Sequence, residues 1–239
     1  MGMDEKTRNL LDRLTAELKK TLGKNLKAII LYGSSVRGDF VPGRSDVNLM
    51  LVLNEVELDS LRKLGAVMRK YRRKGFAVPV VADEFYLQSS LDVFPLEWEE
   101  IKRHHKLIYG EDLLSGINIQ QEHLRLQLER EFKQNLLWLR ELMIEHPDFS
   151  KELCQGLLSA SRSLYAHLRA LTLMAPESEG KDIVLRAEKL TGEKFPALSW
   201  LIQLRTQTKS PKKAELLKNV PRLLQEVDLL AKWIDRAGE

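Results

Sequence analysis

Apolar positions recur along this chain in two rhythms. From Asp4 to Leu22, the side chains of Leu10, Leu11, Leu14, Leu18 and Leu22 share one helical face with Lys, Arg and Glu opposite, and Gly23 follows as a stop. Ala28 to Tyr32 is nearly all apolar, the pattern of a strand buried on both faces. After a loop rich in Gly, Pro and Arg, Val47, Leu49, Leu51 and Leu53 alternate with Asn48, Met50 and Val52. That predicts a second strand, and its period of two places Asp46 and Asn48 on one face. Leu58 to Arg73 returns to helical spacing and ends in a basic run, Arg69 to Lys74, expected to be a solvated helix end favoured by the helix dipole. Phe76 to Val81 is a third strand candidate, and Pro79 within it argues for an edge or irregular position.

Residues 83–114 mix short apolar runs and close on LIYGEDLL, and a boundary is expected near Gly116. Beyond it the spacing is helical almost throughout: Ile119 to His146, Phe149 to Met174, Asp182 to Thr191 and Pro196 to Thr206. A last helix, with Leu223, Val227, Leu230 and Ile234 on its apolar face, is expected to start from Ser210 as N-cap with Pro211 at its first position. The reading is α+β: a mixed sheet with helices over 1–116, then a helical bundle over 117–239, with a cleft expected between them.

Composition narrows the classes. With 44% hydrophobic residues the 239-residue chain can bury a real core, and no apolar run approaches the roughly 20 residues that span a bilayer. The N-terminus is charged and amphipathic without a signal-peptide core, so a cytoplasmic protein with no membrane partner is expected. The lone Cys154 excludes an internal disulfide and a cysteine-based metal site, and its helical context suits a buried apolar role. A net charge of +4 accommodates an anionic ligand but is not a nucleic-acid-binding signature. The four tryptophans, Trp98, Trp138, Trp200 and Trp233, are expected as core or interface aromatics, and His104 and His105 as surface residues of a helix.

Chemistry concentrates in one stretch, AIILYGSSVRGDFVPGRSDVNLMLVL, from Ala28 to Leu53. An apolar strand, Gly33-Ser34, a loop, and then Ser45-Asp46-Val47-Asn48 leading into the next strand resembles the start of the nucleotidyltransferase superfamily related to DNA polymerase beta. The helical tail is similar to that of bacterial aminoglycoside nucleotidyltransferases. The resemblance implies transfer of a nucleoside monophosphate from a nucleoside triphosphate to an acceptor, with Mg as cofactor. It assigns phosphate contacts to Gly33, Ser34, Arg44 and Ser45, metal to Asp46, and the catalytic pair to Asp46 and Asn48. Gly allows close backbone approach, and a Ser hydroxyl with neighbouring N–H groups can face phosphate oxygens. Arg37 is a further candidate for phosphate contact.

The sequence departs from that pattern at two acids. Asn48 stands where the family has its second carboxylate, and an amide oxygen is a neutral ligand that cannot offset two dications. The family's third acid lies mid-strand on the next strand, yet Phe76 to Val81 has no carboxylate; Asp83, Glu84, Asp92 and Glu97 are the nearest. Two functions stay open: a metal-dependent transferase with a small-molecule or protein acceptor, or a catalytically degenerate nucleotide- or protein-binding module. A homo-oligomer is open in either case. Arg162 and His167 have the Arg-x4-His spacing of helical HEPN-class domains. Residues five apart lie about 140° around a helix, so the two are expected on different faces of an amphipathic helix.

Overall fold

The structure is a computed structural model that describes residues 3–38, 40, 41, 43, 45–174, 182–205, 207 and 210–237. The chain divides into two compact units, Met1–Ile119 and Gln120–Glu239. No helix among the described residues is long and apolar enough to cross a membrane.

In the first unit, α1 (Glu5–Leu22) starts where the Asp4 carboxylate accepts the Thr7 N–H at 2.8 Å. The strands β1 (Leu26–Tyr32), β2 (Asn48–Leu53), β3 (Val80–Ala82) and β4 (His105–Gly110) form one mixed sheet in the order β3-β2-β1-β4. β1 is antiparallel to β2 and β4, while β2 and β3 run parallel. Ile29, Leu31, Leu49, Leu51 and Leu53 pack in one core with the apolar stripe of α1 and with Leu64, Val67, Met68 and Tyr71 of α3 (Leu58–Arg72). Ala28, Ile30, Met50 and Val52, on the opposite face, are equally shielded from solvent, so both central strands are buried on both sides. The rest of the unit comprises α2 (Ser34–Arg37), α4 (Glu84–Ser89) and α5 (Pro95–Arg103). Trp98 is buried and donates its indole N–H to Ser90 Oγ at 3.0 Å.

Three expectations change in this unit. Pairing on β3 is confined to Val80–Ala82 plus an isolated bridge between Phe76 and Val47, because the ring at Pro79 leaves no N–H to continue a ladder. His105–Gly110 forms a strand that the mixed apolar runs of residues 83–114 do not single out. The histidine pair is therefore not inside a helix: His104 ends α5 and His105 opens β4. His105 Nδ1 donates to the Lys102 carbonyl at 2.7 Å and Nε2 faces Asp112 Oδ1 at 3.2 Å. Burial opposes ionisation of Asp112, but hydrogen bonds from His105 and from the Leu114 and Ser115 amides outweigh it and hold the carboxyl below its ordinary range.

The second unit consists of α6 (Gln121–Glu145), α7 (Lys151–Leu171), α8 (Ile183–Thr191), α9 (Pro196–Gln203) and α10 (Lys213–Arg236). The longest pair contact is α6 with α10, and α7 packs on α6, α8 and α9. Cys154 is buried. Trp138 departs from a core role at 37% exposure. The last helix begins at Lys213, not after Ser210: the Glu215 carboxylate reaches back to the Lys212 N–H at 3.4 Å and fixes the start two residues later than Ser210-Pro211 suggests.

Arg162 and His167 do separate things. Arg162 is exposed, while His167 Nδ1 accepts from Asn135 Nδ2 at 2.8 Å and its Nε2 lies 3.5 Å from Glu131 Oε2. Ser163 Oγ donates to Asn135 Oδ1 at 2.9 Å, so this polar cluster ties α7 to α6.

One buried carboxylate fastens α9 to α10. Glu226 accepts the Ala197 N–H at 3.0 Å and the Leu198 N–H at 2.8 Å, two donors at a helix start that have no intrahelical acceptor. Its desolvation raises the carboxyl pKa more than those two bonds lower it. Glu226→Ala should cost about 2 kcal/mol of stability in urea denaturation, because it strands both donors. A raised native pKa means that the folded state holds the proton more tightly. The contribution is therefore full below the ordinary Glu value of about 4.3 and is lost as pH rises through the native value. The gap between wild type and variant should narrow as pH rises above the ordinary Glu value; a gap that widens would contradict the assignment.

Candidate functional site

β1 ends at Tyr32, whose register partners are Asn48 on one side and His105 on the other. The chain then turns at Gly33, with φ 78° and ψ −151°, a conformation open in practice only to glycine. A Cβ at Gly33 would lie 2.8 Å from Asn48 Nδ2, so the missing side chain makes room for the Asn48 amide. The Gly33 carbonyl accepts the Val36 and Arg37 N–H groups at 3.0 and 3.1 Å and starts α2, whose first residue is Ser34. Ser35 Oγ donates to the Tyr32 carbonyl at 3.1 Å.

Two side chains beside this turn are engaged with each other. Arg37 forms an ion pair with Glu100 of α5, both partly buried. Glu100 also acts on Tyr32, whose hydroxyl pKa is raised first by burial and then by that negative charge. Neither Glu100 nor His105 stands out in the sequence as part of this neighbourhood; only the β1–β4 pairing and the α5 approach bring them here.

Asp46 and Ser45 lie just before β2. Both line a cavity of about 500 Å³ with Asp4, Lys6 and Thr7 of the α1 start, Phe40, Gly43 and Val47, and Arg73, Lys74 and Gly75 after α3. Gly33, Ser34 and Asn48 are not among the described residues that line it. Ser45 closes its own loop, its N–H bonding to the Val41 carbonyl at 2.8 Å and its Oγ accepting the Val41 N–H at 3.1 Å. Arg44 lies outside the described residues.

No family model matches the chain, and no curated protein matches its sequence. A solved structure does: spectinomycin adenyltransferase AAD(9) from Enterococcus faecialis, determined with ATP and spectinomycin. The two align over 95% of this chain and 99% of that one, with a TM-score of 0.53 and 14% identity. The chain has the nucleotidyltransferase fold.

In a nucleotidyltransferase fold the test of metal chemistry is whether carboxylates from adjacent strands converge. Here Val47 N–H bonds to the Gly75 carbonyl and Ala77 N–H to the Val47 carbonyl, at 2.8 and 3.0 Å. The residues alongside Asn48 are thus Ala77 and Val78, neither of which can bind a cation through its side chain. The acids that follow Phe76–Val81 in the sequence are engaged or exposed. Asp83 accepts the Tyr86 N–H at 2.7 Å and caps α4, and Glu84 pairs with Lys27 at 2.5 Å. Lys27 sits five residues before Tyr32 on β1, about 16 Å away along the strand. Asp92 and Glu97 are exposed. No three His, Cys, Asp or Glu side chains among the described residues could share a metal ion. The donor set of the described residues does not fit a two-metal centre.

Proposed function

We propose that this nucleotidyltransferase-fold chain binds a nucleoside triphosphate and does not carry out efficient two-metal nucleotidyl transfer. The observation behind it is the β2–β3 pairing, which sets Asn48 beside Ala77 and Val78 instead of beside acids. Each missing ligand of a catalytic metal cluster costs several kcal/mol of transition-state stabilisation, about three decades in rate. Two missing ligands leave little turnover. Nucleotide binding is supported by the fold shared with a protein solved with ATP and by the retained Gly33-Ser34 turn. Asp46 is the one carboxylate left of the pair leading into β2, and a single carboxylate does not assemble a two-metal cluster.

The test offers purified protein a labelled nucleoside triphosphate with magnesium. Binding without release or transfer of label is the expected result, and label transferred to any hydroxylated acceptor would sink the proposal. Asn48→Asp sharpens it. A second carboxylate should tighten magnesium binding measured by calorimetry at least severalfold, yet leave transfer undetectable, because β3 still contributes no acid.

A further inference from the structure

We infer that the cavity beside Asp46 holds a short polyphosphate chain through side-chain cations, without a divalent metal. The inference rests on the nucleotide-binding reading above and names what grips the phosphates. Lys6, Arg73 and Lys74 line the cavity against two carboxylates, Asp4 and Asp46. Asp4 is already engaged as the cap of α1; its hydrogen bonds to Thr7 lower its pKa, so it stays ionised and holds the cavity wall in place. Among the described lining residues, that leaves Asp46 as the one carboxylate beside three cations. A hollow of about 920 Å³ shares Arg73 and Lys74 with the cavity and adds Arg69, Lys70 and Arg72.

The balance of charge in this region is uneven. Lys70 is paired with Glu17, and the Lys74 ammonium lies 5.2 Å from the centre of the Tyr71 ring. Arg69, Arg72 and Arg73 have no carboxylate partner among the described residues. Arg69, Arg72 and Arg73 are exposed neighbours at one helix end, and like charges gathered on one surface attract a multiply charged anion. Guanidinium forks match phosphate oxygens two at a time. The Ser45 hydroxyl, which accepts from Val41, keeps its own proton to donate. The first turn of α1 and Phe40, Gly43 and Ser45 to Val47 wall the cavity, which suits a chain of two or three phosphates better than a continuous nucleic-acid backbone.

Metal-bridged and metal-free binding differ in sign at Asp46. If Asp46 held a metal that bridged the phosphates, neutralising it would weaken binding. If cations do the holding, Asp46 repels the ligand and neutralising it strengthens binding. The probe is inorganic tripolyphosphate, titrated calorimetrically into the full chain in EDTA, with ATP and a single-stranded RNA 12-mer as competitors. Binding should persist in EDTA and weaken as salt rises. The Arg73→Ala, Lys74→Ala double variant should lose roughly tenfold or more in affinity. Asp46→Asn should gain about two- to fivefold. Both substituted sites are exposed, and an unchanged melting temperature verifies the fold.

The inference is overturned if EDTA abolishes binding, if the double variant binds like wild type, if Asp46→Asn weakens binding, or if the RNA binds far more tightly than tripolyphosphate. Displacement by ATP supports both readings. Tripolyphosphate binding that ATP cannot displace keeps this site and removes the nucleotide reading. ATP binding that needs magnesium and ignores Arg73 and Lys74 does the reverse.

Discussion

Gly110→Ala should lower the stability of the first unit by about 4 kcal/mol or more, the largest loss expected from a methyl added at any described glycine. Gly110 closes β4 at φ 85°, opposite Ala28. A Cβ there would sit 1.9 Å from the Lys27 carbonyl oxygen, 2.9 Å from its carbon and 3.1 Å from Ala28 Cα. All three atoms are backbone, so none can rotate aside. The left-handed conformation alone costs an alanine about 1–2 kcal/mol, and the rest comes from forcing β4 away from β1. Urea denaturation followed by the fluorescence of buried Trp98 reads the effect; a loss below about 1 kcal/mol would mean that β4 is not paired as described.

Gly33→Ala should cost about 3 kcal/mol, from two separable sources. The backbone conformation accounts for about 1–3 kcal/mol. The contact with Asn48 Nδ2 at 2.8 Å adds the remainder, and here the obstacle is the end of a side chain. Asn48→Ala in the same chain should therefore recover about 1 kcal/mol, measured as a coupling energy in a double-mutant cycle. A cycle with no coupling would show that Gly33 and Asn48 are not in contact. Nucleotide affinity followed through the same cycle would report whether this packing shapes the turn for its ligand.

Periodicity made much of the fold readable in advance. The apolar run at Ala28–Tyr32 and the alternation from Val47 are strong signals because both strands are central and buried on both faces. β4 was hidden for the opposite reason: His105, Lys106, Leu107, Ile108, Tyr109 and Gly110 neither alternate nor are uniformly buried, being an edge strand that follows a helix directly. α10 starts two residues beyond the Ser210-Pro211 signal, because the deciding contact comes from Glu215.

At the site, residue types were legible but partnerships were not. Gly33, Ser34, Asp46 and Asn48 are recognisable by their order, and the absence of acids over Phe76–Val81 is visible in the text of the chain. That Asn48 fills the space beside Gly33 depends on the β1–β2 register. That Arg37 is engaged by Glu100, 63 residues away, depends on where α5 lands. Asp46 and the end of α3 share a cavity only because β2 and the segment after α3 run parallel.

The two outermost strands have a further consequence, for behaviour at high concentration. A bare sheet margin invites a second molecule to add its own strand and start a fibre. Here one margin is a three-residue strand preceded by a proline, and the other carries a lysine with a short, bulged pairing behind it. Both margins are poor templates, so the sheet can keep an apolar interior without seeding its own aggregation.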